Sequence, residues 1–150
     1  MRQGLEIRAN VTVCVVDAAT RRVLRVERQH NLVVTTGLNL IRDLLNGDAV
    51  AGLTYFAVGT GTTPVASTDT TLAAEVFRDA VTQTIKGTAE LTVKYFLPTT
   101  QANGNTLAEA GLFNAASVGT MFARVVLAAT IVKTSAIEVT FAWDLTFAPA

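Results

Sequence analysis

Between Ile137 and Phe147 the chain alternates without a break. Ile137, Val139, Phe141, Trp143, Leu145 and Phe147 fall on one side, and Glu138, Thr140, Ala142, Asp144 and Thr146 on the other. A period of two fits an extended strand with one buried face and excludes a helix, whose period is 3.6. The side bearing Phe141, Trp143 and Phe147 is expected to face a core. Ile7, Ala9, Val11, Val13 and Val15 repeat the pattern, as do Leu91, Val93, Tyr95 and Leu97. Shorter runs at 23–28, 32–35, 53–58, 76–85 and 121–127 read as further strands, with Asp17-Ala18-Ala19-Thr20 as an Asx-type turn between the first two.

One segment departs from this rule. Across residues 36–46, Leu40, Ile41, Leu44 and Leu45 recur at helical spacing while Arg42 and Asp43 point away. Thr36 is expected to cap the amino end and Gly47 to take the left-handed conformation beyond the carboxyl end. Residues 59–71 and 98–108, rich in Gly, Thr, Asn and Pro, read as two long loops. About eight strands and one helix in 150 residues, half of them apolar, predict a single all-β domain over residues 1–150. Its expected form is a β-sandwich or a jelly-roll-like barrel.

The rest of the composition mainly excludes. Lys plus Arg and Asp plus Glu number twelve each, which argues against a protein built to neutralise nucleic acid or an anionic membrane. The charged start, Met1-Arg2-Gln3-Gly4-Leu5-Glu6-Ile7-Arg8, lacks the apolar run of a signal peptide, so synthesis in the cytoplasm is expected. The single cysteine, Cys14, lies among valines and is expected to be buried and inert. His30 is alone and is expected at the surface or an interface. Ser67, Ser117 and Ser135 lack a nucleophile-elbow setting. The loop Gly59-Thr60-Gly61-Thr62-Thr63-Pro64 lacks the third glycine and helix of a dinucleotide site, and reads as a turn ending a strand. Glu75 with Glu109 is the carboxylate pair a glycosidase would need, yet nothing in the spacing brings them together. Asp69, Asn103 and Asn105 do not make up a calcium loop. No catalytic, cofactor or metal residue is expected, and no cofactor.

Charge is unevenly divided. Residues 1–42 hold seven arginines against Glu6, Asp17 and Glu27, and the remainder has a matching acidic excess. The hairpin carrying Arg21, Arg22, Arg25 and Arg28 reads either as a contact to an acidic partner or to an acidic face of a neighbouring copy, or as a solvated hairpin.

The order of the segments carries more information than any one of them. A strand ending in Gln29-His30-Asn31-Leu32-Val33-Val34 leads into the helix. Then come Phe56-Ala57-Val58-Gly59-Thr60-Gly61-Thr62 and Asp69-Thr70-Thr71-Leu72-Ala73-Ala74-Glu75-Val76-Phe77-Arg78. The last third holds Leu107-Ala108-Glu109-Ala110-Gly111-Leu112-Phe113-Asn114 and Gly119-Thr120-Met121-Phe122-Ala123-Arg124. From Asn31 onward this resembles small structural proteins of tailed-bacteriophage virions, with segments similar to tail-collar fibre and related particle proteins. No shaft, repeat or receptor-binding tip is expected with it. The resemblance implies a non-enzymatic virion subunit, with a capsid decoration or cement protein as the leading expectation. It would bind the major capsid protein or other virion proteins as a homo-oligomer, a trimer in the leading form, without nucleic acid or membrane. A tail, collar or baseplate adaptor is the alternative, and a small carbohydrate-binding β-sandwich a second one. Candidate partner contacts are Arg21, Arg22 and Arg25 on the hairpin, Thr60, Thr62 and Thr63 on the first loop, and Gln101, Asn103 and Asn105 on the second. The loops read equally as plain solvent-exposed connections.

Overall fold

The computed structural model describes residues 3–150; Met1 and Arg2, part of the charged start, lie outside the described residues. Among the described residues two five-stranded antiparallel sheets pack face to face, the sandwich form of the expected all-β fold. The strands are β1 (Leu5–Asp17), β2 (Val23–His30), β3 (Leu32–Val33), β4 (Tyr55–Gly59) and β5 (Glu75–Ala80), followed by β6 (Gln83–Gly87), β7 (Glu90–Leu97), β8 (Thr106–Phe113), β9 (Met121–Val132) and β10 (Ile137–Pro149). The single helix, α1, spans Thr35–Asn46. One sheet runs β2-β1-β10-β7-β6 and the other β3-β9-β8-β4-β5, so the chain crosses between them four times.

At the centre of the first sheet β1 and β10 pair along their whole length, from Leu5 opposite Pro149 to Asp17 opposite Ile137. Their alternation places Ala9, Val11, Val13, Val15, Val139, Phe141, Trp143 and Leu145 inward, all buried. Phe56 of the facing sheet enters this surface. Its ring stacks on Tyr95 at 4.3 Å and meets Phe141 at 4.8 Å and Trp143 edge-on at 5.5 Å. Such pairs add to the apolar burial itself. Phe56 therefore joins the two sheets at mid-core.

The second sheet is covered on its outer side as well. α1 lies so close to β9 that a Cβ on Gly37 would sit 2.2 Å from the Phe122 carbonyl oxygen. Thr36 is not the helix cap that its type suggests. Val34 occupies that position in extended geometry, and the Thr36 hydroxyl donates to the Met121 carbonyl at 2.7 Å, pinning the helix to the sheet. Gly47 is left-handed with φ 80°, and the Gly47 and Asp48 amides close the carboxyl end on Leu44 and Asp43. Beside the helix Val34, Ala57, Leu72, Phe113 and Met121 form a second, smaller core.

Three further expectations are corrected by the fold. The run 76–85 is two strands, β5 and β6, broken at Val81 and Thr82 where the chain changes sheets. The second long loop ends at Asn105, because Thr106 opens β8. Cys14 is half-buried, not buried. It lies on the outer face of β1 between Val26 and Thr140, since a period of two that buries Val13 and Val15 turns Cys14 outward.

Phe56→Ala is expected to cost about 3–5 kcal/mol, the range for a buried aromatic whose site cannot collapse. An unfolding free energy from guanidinium titration within about 1 kcal/mol of wild type would show that the sheets meet without it.

Candidate binding surface

Residues 60–74 form the longest segment without regular structure, yet they are held tightly. The anchor is Glu109, at the middle of β8 and completely buried. One carboxylate oxygen accepts the Gly61 N–H at 3.1 Å and the Ala74 N–H at 2.7 Å. The other accepts the Ala73 N–H at 3.0 Å and the Arg124 Nε–H at 2.8 Å. Arg124, on the neighbouring strand β9 and also buried, extends to Asp69 at 2.9 Å and to the Thr63 carbonyl at 2.9 Å. The Asp69 carboxylate in turn accepts the Ala66 N–H at 3.0 Å. One ion pair thus holds the segment at five places. The glycines are dictated by this approach: a Cβ on Gly59 or Gly61 would lie 2.5 Å from the Glu109 carboxylate. Leu72, buried in the second core, anchors the far end.

Other buried polar groups do similar work. Arg78 binds Glu75 with two hydrogen bonds at 2.8 and 2.7 Å, stacks 3.6 Å above the Phe113 ring centroid, and holds the Ala115 and Val118 carbonyls at 3.0 Å. It thereby fixes the turn between β8 and β9. Lys133, completely buried, donates to Asn103 at 2.8 Å and to the Thr134 carbonyl at 3.1 Å. Burial draws its pKa below the usual lysine range, and the nearby Glu138 charge partly restores it. The Tyr95 hydroxyl donates toward Asp79 at 3.1 Å and meets Gln101, whose amide also donates to Asp79 at 3.2 Å. That cluster joins β7 to β5 across the two sheets. Burial, reinforced by the Asp79 carboxylate, pushes the Tyr95 pKa well above the ordinary tyrosine value.

The residues singled out from sequence divide accordingly. Thr60, Thr62 and Thr63 are exposed on the stapled segment and present their side chains outward from a fixed base. Gln101 and Asn105 are half-buried and Asn103 is exposed, and all three are hydrogen-bonded within the chain, Asn105 donating to the Ala102 carbonyl at 3.0 Å. On the hairpin, Arg21 pairs with Glu138, and Arg25 donates to the Ala129 and Thr130 carbonyls at 3.1 Å. Those carbonyls are available because β9 bulges away from β8 between Val126 and Ile131. Gln29 uses the same bulge, donating to the Val126 carbonyl at 2.7 Å and accepting the Ala128 N–H at 2.9 Å. Only Arg22 of the three candidate arginines is left exposed with no partner among the described residues. His30 is exposed, as expected. The expected Asx turn is present, with Asp17 accepting the Ala19 and Thr20 N–H groups at 3.1 and 2.7 Å.

Glu109 cannot join Glu75 in sugar chemistry, because both its oxygens are filled by internal donors and Glu75 is chelated by Arg78. Among the described residues no group of three or more His, Cys, Asp or Glu is placed to hold a metal ion, and no helix is long and apolar enough to cross a membrane. Sequence reasoning missed the joint role of Glu109, Arg124 and Asp69. The usable signal was a lone Glu and a lone Arg inside otherwise apolar strands. No protein-family model, curated protein or solved structure matches the chain.

Two variants check this account. Replacing Arg124 by Met leaves Glu109 buried without its partner, and a cost of about 3–5 kcal/mol is expected. The same variant should become sensitive to proteolysis within residues 60–74; cleavage confined to other segments would refute the staple. For Tyr95 the folded-state pKa lies above the unfolded one, so its stabilisation is full below about pH 10 and is lost as pH rises beyond. Tyr95→Phe is expected to lose less stability than wild type between about pH 9.5 and 11.5, read as unfolding midpoints. Parallel curves would contradict the assignment.

Proposed function

We propose that this chain is a non-enzymatic structural subunit of a tailed-bacteriophage virion, a decoration protein that clamps neighbouring shell subunits as a homo-oligomer. The observation that carries the reading is the convergence of the phage-like segments on one place. The Gly59 turn, the Leu72–Arg78 stretch, the strand around Glu109 and the segment that enters β9 and reaches Arg124 all meet at the buried ion pair. What these segments build together is a rigid base beneath an exposed, threonine-bearing loop. Such a loop loses little conformational freedom on docking, which favours affinity per unit of contact.

A stable contact of this kind buries about 1,200–2,000 Å² in total. Repetition of the subunit over a shell, in a threefold oligomer, adds avidity to modest single contacts. The arginine hairpin takes a smaller part than its charge suggests, since Arg21 and Arg25 are engaged within the chain. The contact is therefore expected to rest on neutral polar and apolar groups of the loop face.

Mass spectrometry of particles made by cells carrying the gene tests the reading. Hundreds of copies per particle are expected, on the order of the shell's own symmetry. A few dozen copies or fewer would make the chain an adaptor, and absence from particles would refute a virion role. Raising salt from about 0.1 to about 1 M should change attachment by no more than about twofold. A steep loss would place the arginine hairpin at the interface.

A further inference from the structure

Where β1 leaves its partner β2, the first sheet has an open notch among the described residues. β1 pairs with β10 from Leu5 onward, but with β2 only from Asn10 onward. The last group on the β2 side is the Ala9 carbonyl, which accepts the Asn31 N–H at 3.0 Å as the chain turns down into β3. Backbone groups of a strand point to the same side at every second residue. The N–H and C=O of Ile7 and Leu5 therefore face the notch. The other side agrees: Phe147, opposite Ile7, gives its N–H away from β1, to the Ala89 carbonyl at 2.9 Å.

Beneath this free edge lies a groove of about 660 Å³, with Leu5, Ile7, Leu32, Val33, Leu38 and Val65 among its apolar lining. That is the size of a ligand-binding cleft. Leu5, Leu32 and Leu38 are exposed at 61%, 39% and 50%, which is unusual for leucines gathered in one place. Asn31 also lines the groove, is only 8% exposed, and has neither its amide oxygen nor its amide nitrogen bonded among the described residues. A buried amide with no partner is costly, and its pattern of one donor group beside one acceptor is that of a peptide unit. At the rim Glu6 and Arg8 neutralise each other at 3.0 and 3.1 Å, so the groove favours neither an acidic nor a basic occupant.

We propose that this groove receives an extended segment of a partner polypeptide, neutral and alternating apolar with small polar residues. The segment adds as a strand to the free edge of β1 at Leu5 and Ile7, places its apolar side chains in the groove, and bonds its main chain to Asn31. Strand addition of this kind draws affinity from main-chain hydrogen bonds and specificity from alternate side chains. The inference stands whether or not the partner belongs to a virion.

The test uses the full chain and a labelled, end-capped octapeptide of zero net charge, Glu-Thr-Val-Thr-Val-Thr-Val-Lys. The control is the same peptide with alternate backbone nitrogens methylated. Saturable binding is expected, weakened at least about tenfold by the methylation, which removes strand pairing but keeps the side chains. Hydrogen exchange at the Ile7 amide should be fast in the free protein and slowed at least about tenfold by the peptide, while the Arg8 amide, facing β10, stays unchanged. Ile7→Pro removes the free donor without touching the β10 ladder, and should weaken binding by a similar factor. Asn31→Leu should raise the unfolding midpoint yet weaken the peptide at least about threefold. Equal binding of the methylated peptide, no binding at about 1 mM, or an Ile7 amide that the peptide leaves unprotected would each overturn the proposal. So would protection of Ile7 that rises with the concentration of the protein alone, which would make a second copy the occupant.

Discussion

The ion pair between Glu109 and Arg124 organises this molecule more than any other contact. Taking two charges into a protein interior costs several kcal/mol per ion before any attraction is counted. The cost is offset here by completeness: the carboxylate accepts three backbone N–H groups besides the guanidinium, and the guanidinium reaches a second carboxylate and a carbonyl. A network satisfied to this degree fixes geometry, because any shift of the loop leaves a buried charge uncompensated. Apolar residues in the same place could have stabilised the sheet as well, but they could not have specified the path of the segment above it.

The same economy recurs at lower stakes around the sandwich. Arg78 fixes one turn, Lys133 another, and Gln29 with Arg25 stitches β2 to the bulge of β9. In each case a long polar side chain on or just beyond a strand reaches polar groups of a turn or bulge that the ladders leave open. This explains why so few of the polar residues that look available in the sequence are free on the surface. The threonines of the stapled segment and the groove beside β1 are different in kind, since their groups face outward or remain without partners.

Most of the fold was legible because alternation is a direct physical signal. β1, β7 and β10 bury one face each, and their inward residues are the ones the period of two selects. β8 was not legible. It is buried on both faces, so Thr106-Leu107-Ala108-Glu109-Ala110-Gly111-Leu112-Phe113 shows no alternation, and Ala, Gly and Glu are poor strand formers. The helix was legible from its spacing, but its amino end was not: a threonine beside a helix start can cap it or bond elsewhere, and tertiary contact with Met121 decided. Of the candidate contacts, the loop threonines were readable by exposure alone. The engagement of Gln101, Asn103, Arg21 and Arg25 within the chain depends on partners more than twenty residues distant, which no local pattern reveals.

The pairing of β1 with β10 sets the timing of assembly. The strand that fills the middle of the first sheet, and brings Phe141 and Trp143 to the core, is made after the other nine described strands. Until it arrives, β1 and β7 are separated by an empty lane, and Phe56 has no surface to enter. The nascent chain must therefore wait unfinished, its valine-rich edges uncovered, and close only after synthesis of this strand. Crowded production of many copies at once would make that interval the molecule's most vulnerable moment.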